Sequence, residues 1–389
     1  MKRPFVILLF LAGLLPAGAQ SLRLTPYTAP TALYADIDRL LNYNLHEHVR
    51  IEAGLTWVLP SESARDPKVF LGQWTLRGYA AYGVYDRAFK YGGSVQLRLP
   101  GSSDVRLRLS LKDDLERTGS RSFENYKMTS ISLNNGYVAS LFSHVQALEG
   151  KVIWKPFCRW EAAVGMRYSR EAVVQHDTTF PYAHYAEASA RVDFDGRLTV
   201  ELRTGMTDQS INTSNNPTIG QSDNPTIRQS FYLRALAQYA YGEMDEDFHL
   251  WAQAGYTTPE APESRQFDIS GTGRTPCYFE HTLLTVPPRS FMADMFAHLL
   301  LKYTAPLPLW KTSFSSPKPF LQLNALWGHT PDYHLFIAEP ATGFDGILRW
   351  GLLDMGVATA YQLTPPNAPY RPQDPRNGIA FAIVARLIV

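Results

Sequence analysis

The chain has 389 residues, with 37 Lys and Arg against 36 Asp and Glu, so its formal net charge is +1. This balance carries no basic excess of the kind that indicates nucleic-acid binding. Beyond the N-terminus, no continuous apolar stretch is long enough for a membrane helix. The most distinctive number is 13% aromatic residues, with 21 Tyr, a composition that suits the aromatic girdles of membrane barrels.

The N-terminus predicts export. Residues 1–3 are basic at two of three positions, an apolar run covers 5–15, and 17–19 offer a small-x-small cleavage site. This order is typical of a secretory signal peptide, which we place at 1–19. The apolar run is too short to span a bilayer, so we expect no retained anchor.

Apolar and polar residues alternate along most of the remaining chain. In Val105-Arg-Leu-Arg-Leu-Ser-Leu-Lys112 every odd position is apolar and every even position is polar. Because a strand has a side-chain period of two, this stretch has one apolar face and one charged face. The pattern returns segment after segment, which predicts a transmembrane antiparallel β-barrel whose apolar face meets lipid.

The alternating segments number about sixteen, with fourteen as the alternative. Long connections mostly follow odd-numbered segments in the middle of the chain, and short ones mostly follow even-numbered segments, as in barrels with short periplasmic turns. The segments are 34–45, 48–58, 70–84, 88–99, 104–118, 139–155, 157–172, 181–195, 197–210, 226–242, 246–258, 279–286, 290–303, 319–328, 345–363 and 377–389.

These observations predict an all-β fold with one barrel domain at 33–389, after an N-terminal periplasmic segment at 20–32. A β-sandwich is the alternative, since it also alternates. Its strands are usually five or six residues long, whereas these segments are longer and carry large aromatics near their ends. We therefore expect the protein in the outer membrane of a Gram-negative cell.

The polar positions of the segments should point into the barrel lumen. Arg dominates among them, and both signs of charge are mixed. Such a wall either selects anions or forms a mesh of ion pairs with carboxylates, and the sequence leaves both open. The lumen-lining candidates are Arg77, Arg98, Arg106, Arg108, Arg167, Arg191 and Arg203.

The connection at 259–278 is a candidate lumen loop. It contains Gly271-Thr-Gly-Arg274-Thr, and a glycine-rich segment with one Arg can fold back and bind an acidic wall through Arg274. An ordinary extracellular loop is the alternative.

We predict no catalytic, cofactor or metal site. Ser143 and His144 are adjacent, so in a strand they point to opposite faces and cannot form a nucleophile–base pair. Nothing in the sequence orders Ser290, His281 and His298 into a triad.

Two further motifs are interpreted without a ligand. His46-Glu-His48 has no third ligand nearby and is interpreted as a solvated turn. Cys158 and Cys277 fall at opposite ends of the predicted barrel, too far apart for a disulfide, so we expect two free thiols, or one that pairs elsewhere.

Two passages resemble a known group. They are Arg50-Ile-Glu-Ala-Gly-Leu-Thr-Trp57, continued at 70–91 with Gly-Tyr-x-x-Tyr-Gly-x-x-Asp at 78–86, and Phe291-Met-Ala-Asp-Met-Phe-Ala-His-Leu-Leu-Leu-Lys-Tyr303. They resemble the C-terminal barrel of outer-membrane proteins of unknown function that carry an N-terminal carboxypeptidase-regulatory-like domain. That barrel is distantly similar to sixteen-stranded outer-membrane assembly factors and two-partner secretion translocators. In this chain we expect no regulatory-like domain and no periplasmic domains of the assembly-factor type.

The resemblance implies non-enzymatic transport, or assembly and translocation, at the outer membrane. A passive anion-tolerant pore and a membrane-embedded enzyme acting on lipid are the alternatives. The expected partners are outer-membrane lipid and lipopolysaccharide, the machinery that inserts barrels, and a periplasmic or lipoprotein partner. No nucleic acid and no cofactor is expected.

Overall fold

Strands make up most of the part of the chain that the computed structural model describes. That part comprises residues 21–25, 31–36, 41–44, 46–59, 73–99, 104–117, 142–175, 178–179, 182–195, 197–211, 226–241, 248–259, 261, 265–268, 277–278, 283–286, 292–331, 334–350, 353–363 and 379–387. Within these ranges, no helix has the length and apolar character needed to cross a membrane.

The strands in chain order are β1 (Ser21–Arg23), β2 (Ala32–Asp36), β3 (Leu41–Asn44), β4 (His48–Leu59), β5 (Gln73–Gly83), β6 (Phe89–Arg98), β7 (Asp104–Arg117), β8 (Phe142–Phe157), β9 (Trp160–Gln175), β10 (Thr178–Thr179), β11 (Ala183–Phe194), β12 (Leu198–Ile211), β13 (Thr226–Tyr241), β14 (Phe248–Thr257), β15 (Phe267–Asp268), β16 (Cys277–Tyr278), β17 (Met292–Ala293), β18 (Met295–Thr304), β19 (Lys318–His329), β20 (His334–Trp350), β21 (Leu353–Tyr361) and β22 (Ile379–Leu387).

The long strands form one antiparallel sheet in chain order. β2 and β3 both pair with β4 and so share one position at the edge of the sheet. From β4 each strand pairs with the next through β9, then β11 to β14, then β18 to β22. Over the described residues the sheet therefore has sixteen positions, which confirms the predicted all-β antiparallel fold and its strand number.

Short strands pair with a few residues at each edge of this sheet. β1 pairs antiparallel with β2, and β16 pairs parallel with β22 through Cys277↔Ile383. Residues 21–23, which the sequence assigns to a periplasmic segment, thus extend the sheet. The predicted signal peptide at 1–19 lies outside the described residues.

Two strand assignments from the sequence are wrong, and they cancel in the count. The predicted strand at 279–286 is not a strand over 283–286, since β14 pairs directly with β18. The predicted strand at 345–363 contains the end of β20, which begins at His334 in a predicted connection, and all of β21. A register shift between Phe344 and Leu348, with Gly346 at φ 72°, disturbs the alternation within β20.

The corrected order moves one connection to the other end of the sheet. Residues 305–317 join β18 to β19, which are the twelfth and thirteenth positions. This connection therefore lies at the end with the short turns, together with the turn between β8 and β9. The sequence placed it at the opposite end.

The sheet has two chemically distinct faces. We call the face that carries Arg50, Glu187 and Glu339 the inner face, because these side chains are buried. The opposite, outer face carries Leu107 and Leu109, which are 40% and 54% exposed. The alternation along a strand thus separates apolar side chains from paired charges.

Replacing Leu107 with Arg tests the assignment of the outer face to lipid. The substitution should cost about 2–4 kcal/mol, because a cationic side chain on the lipid face near the bilayer midplane is destabilising. The free energy of unfolding in lipid vesicles, measured by denaturant titration, gives this number. Leu107→Met is the matched control and should behave like the unaltered protein. A Leu107→Arg protein of unchanged stability would show that this face does not meet lipid.

Candidate functional site

The segment between β14 and β18 folds against the inner face of the sheet. Within it, β15 pairs with β17, and Phe267, Leu283 and Val286 are fully buried. We call the described residues 258–259, 261, 265–268, 283–286 and 292–294 the inserted segment.

Apolar contacts hold this segment against the C-terminal part of the wall. Phe267, Leu283 and Val286 cluster with inner-face residues of β18 to β20, which are Phe296, Leu326, Leu335 and Ile337. Leu284 packs in a second cluster with Phe320, Ala341, Ala358, Ala360 and Ala380. The alanines leave the room that the inserted segment fills.

A buried carboxylate anchors the backbone of the same stretch. Glu339 on β20 is 0% exposed, and its Oε1 accepts the Leu284 N–H at 3.1 Å. Its Oε2 accepts the Thr285 N–H at 2.9 Å and the Thr285 hydroxyl at 2.7 Å. Because buried polar groups need partners, these bonds fix residues 284–285 at one place on the wall.

A buried guanidinium anchors the segment on the other side. Arg265 Nη2 lies 2.8 Å from Glu171 Oε1, and its Nη1 lies 3.5 Å from Glu187 Oε2. The guanidinium carbon is 3.9 Å from the ring centre of Tyr185 and 4.7 Å from that of Tyr232. Burial alone would lower the pKa of Arg265, but the neighbouring carboxylates outweigh it and raise that pKa above its ordinary value. Arg265 is therefore charged in this position.

Both carboxylates that bind Arg265 also contact an arginine of the wall. Glu171 lies 3.5 Å from Arg167, and Glu187 lies 3.4 Å from Arg203. Glu187 also accepts a hydrogen bond from the Tyr232 hydroxyl. The anchor therefore joins a wall network rather than forming an isolated pair.

A second buried network lies on β4 to β7. Arg50 makes a two-pronged contact with Asp114 at 2.5 and 2.8 Å and also reaches Glu52 at 2.9 Å. The Tyr79 hydroxyl donates to Asp114 at 2.6 Å. Such charge-assisted hydrogen bonds hold these side chains in fixed positions.

The predicted lumen-lining arginines mostly pair with carboxylates of the wall. Five contacts are Arg98–Asp104 at 2.9 Å, Arg106–Glu161 at 2.8 Å, Arg167–Glu116 at 3.1 Å, Arg191–Asp193 at 3.3 Å and Arg203–Glu201 at 2.6 Å. Arg77 is exposed opposite Thr56, and Arg108 is half-buried opposite Lys151. The contacts favour an ion-pair mesh over an anion filter.

The sequence singled out the connection at 259–278, and its candidate anchor, Arg274, stays a prediction. Arg274 lies outside the described residues, whereas Arg265 makes the contacts to the acidic wall. The sequence signal for Arg265 was weak, since no glycine flanks it. Glu339 had no signal beyond being a carboxylate in a predicted connection.

The remaining candidates for chemistry are dispersed. Ser143 is buried on the inner face, and His144 Nε2 contacts Asp113 on the outer face at 2.6 Å, so the two point apart as predicted. His298 lies near Asn324 at 3.4 Å, while Ser290 and His281 lie outside the described residues.

The His46-Glu-His48 motif and the two cysteines were the other candidates from the sequence. His46 Nε2 lies 3.8 Å from Asp86, and no group of three or more metal-ligating side chains occurs within the described ranges. Cys158 is an exposed free thiol between β8 and β9, whereas the backbone of Cys277 pairs with β22.

Comparison with known proteins gives distant likenesses only. No protein-family model matches the chain, and no curated protein matches it. It is similar to the solved structure of CdiB from Escherichia coli, with 10% identity and a TM-score of 0.41, over 93% of this chain and 63% of that one. CdiB from Acinetobacter baumannii gives 9% identity and a TM-score of 0.40, over 87% of this chain and 57% of that one. The chain thus spans about three-fifths of these proteins, and the resemblance to the regulatory-domain family stays a prediction.

Removing the Glu339 carboxylate should loosen the inserted segment locally. Glu339→Ala leaves the N–H groups of Leu284 and Thr285 without their acceptor, which costs about 1–3 kcal/mol. Amide hydrogen exchange at 284–285 should therefore become about 5-fold to 150-fold faster. Glu149→Ala, on the inner face of β8 away from the inserted segment, is the control. Unchanged exchange at 284–285 in Glu339→Ala would contradict the anchoring role.

Proposed function

We propose that this protein is a non-enzymatic outer-membrane β-barrel for transport or translocation, closed at rest by its own inserted segment. This proposal rests on two sets of contacts that hold the inserted segment. Arg265 forms ion pairs with Glu171 and Glu187, and Glu339 accepts hydrogen bonds from the backbone of residues 284–285. Its partners are outer-membrane lipid and lipopolysaccharide, the barrel-insertion machinery, and a periplasmic or lipoprotein partner.

The outer face supports placement in a membrane. Val164 and Met166, in the middle of β9, are 58% and 75% exposed. Apolar side chains continue across neighbouring strands at Leu148, Val152, Val192 and Leu202. A continuous exposed apolar surface of this extent marks contact with lipid or another apolar surface.

Aromatic residues border this apolar surface. Trp154, Phe157 and Trp160 are exposed near the short turn between β8 and β9, and Tyr168 is exposed further along β9. Trp160 and Tyr168 are eight residues apart, about 26 Å along a strand at about 3.3 Å per residue. At a strand tilt of about 40°, this span is about 20 Å along the membrane normal, close to an apolar band of about 25 Å between two aromatic girdles.

The hairpin at 305–317 adds an apolar element at the short-turn end. Leu307, Trp310 and Phe314 are exposed, although the hairpin is ordered by its own hydrogen bonds. Its base is tied to the wall, since the Ser316 N–H donates to the Gly346 carbonyl at 2.8 Å. An ordered apolar hairpin at this height fits the interfacial layer of the membrane.

A closed and removable segment favours gated transport over a passive pore. The anchors are hydrogen bonds, ion pairs and apolar contacts, so the segment can leave without breaking a covalent bond. Most of the charged side chains on the inner face that it covers form ion pairs, so this face gives no strong preference for anions.

Conductance in planar bilayers tests the closed state. The unaltered protein should show little open conductance, because the inserted segment occupies the inner face. The double variant Arg265→Ala and Glu339→Ala loses both anchors and should raise the open probability about tenfold or more. Glu149→Gln is the control on the same face. A large, steady conductance of the unaltered protein, or a double variant as closed as its parent, would contradict the proposal.

Depth-dependent quenching tests the membrane position of the 305–317 hairpin. In vesicles with brominated lipids, Trp310→Phe should remove a fluorescence component that bromines near the headgroup quench most strongly. Trp251→Phe is the control, since Trp251 is buried on the inner face. A Trp310 component quenched only by aqueous iodide would place the hairpin in water.

A further inference from the structure

The outer face becomes polar at the end of the sheet with the long connections. On β7, β8, β9 and β11 the apolar side chains give way to a cluster that we call the outer polar patch. Its members are Asp113, His144, Gln146, Tyr168, Arg170, Tyr182 and His184. The register places Arg170 directly opposite Gln146 on β8 and His184 on β11, so the patch crosses neighbouring strands.

Asp113 is fully engaged within the patch. Its Oδ1 lies 2.6 Å from His144 Nε2, and its Oδ2 accepts the Gln146 amide at 3.0 Å. His144 Nδ1 lies 2.8 Å from the Tyr182 hydroxyl. A neutral imidazole protonated on Nε2 satisfies both contacts, since it donates to Asp113 and accepts from Tyr182. These bonds hold Tyr182 in place.

Arg170 packs over the ring of Tyr182. Its guanidinium carbon lies 4.1 Å from the ring centre of Tyr182, and among the described residues it forms no ion pair. The inner-face arginines, by contrast, mostly have carboxylates. His184 uses its Nδ1 to contact the Tyr168 hydroxyl at 2.7 Å, and its other ring nitrogen is available.

The height of the patch fits the headgroup layer. Arg170 lies two residues beyond Tyr168, which borders the apolar band. An arginine on the lipid face is destabilising at the bilayer midplane and nearly neutral at the interface, where an anion can reach it. The patch is continuous with the apolar outer face at Leu111, Leu148 and Met166, so lipid rather than protein is the expected occupant.

We propose that the outer polar patch binds the phosphate of a lipid headgroup in the leaflet at the long-connection end. The planar Arg170 guanidinium would donate two parallel hydrogen bonds to two phosphate oxygens, and His184 would donate a hydrogen bond to a third. Asp113 directs its two carboxylate oxygens at His144 and Gln146. This inference rests on the membrane placement proposed above, but not on the transport role.

Native mass spectrometry of the detergent-purified, delipidated full chain tests the site. The probes are lipid A with both phosphates, its dephosphorylated form, and inorganic phosphate. The unaltered protein should bind phosphorylated lipid A at least tenfold more tightly than the dephosphorylated form. Arg170→Gln should lose about tenfold in affinity for the phosphorylated form, and Arg170→Lys should fall between, because lysine keeps the charge without the fork. Arg159→Gln, an exposed arginine in the turn between β8 and β9, is the control.

Three results would overturn the site. They are equal binding of the two lipid A forms to the unaltered protein, a change below twofold in Arg170→Gln, and full displacement of lipid A by millimolar inorganic phosphate. The first comparison needs no variant, so it decides even where Arg170→Gln folds poorly. An unaltered protein that inserts into vesicles yet fails these comparisons would overturn only this site. One that fails to insert would instead contradict the membrane barrel.

Discussion

The pairing of every long strand with its neighbours is the constraint on which the rest of this structure depends. Backbone N–H and C=O groups have no water to bind inside a bilayer, so strands can cross it only when the sheet satisfies them. Here the ladder runs in chain order, β1 pairs with three residues of one edge, and β16 pairs with two residues of the other. Once the backbone is fixed in this way, each strand must present alternate side chains to two different environments.

The inner environment requires compensated charge. A buried ion pair whose partner is removed is strongly destabilising, because the remaining charge is left without compensation. Glu171 and Glu187 avoid this, since Arg167 and Arg203 of the wall contact them as well as Arg265. Departure of Arg265 would therefore leave both carboxylates partnered. The network binds the inserted segment without making its release prohibitively unfavourable.

The period-two pattern predicted the sheet and its faces, because it is a local property of each strand. Leu107 and Leu109 lie on the outer face as the alternation at 105–112 requires. Predictions from the pattern failed where the environment of a residue depends on parts of the chain that are distant in sequence. The apolar stretch at 283–286 looked like a strand, but it is buried against Glu339 and the wall. The contact between Arg265 and Glu171 joins residues 94 positions apart, a distance at which sequence spacing carries no information.

The two sides of the inserted segment contribute different things. On β9 and β11 it meets the carboxylates that bind Arg265, and these directional contacts determine where the segment lies. On β18 to β22 it meets apolar side chains and alanines, and each buried Leu or Val contributes about 1.5–3 kcal/mol. Leu283, Leu284 and Val286 together therefore outweigh a single ion pair. Position is determined by the charged contacts, and retention mainly by the apolar ones, so breaking the Arg265 contacts alone would free one side of the segment while the other side stayed bound.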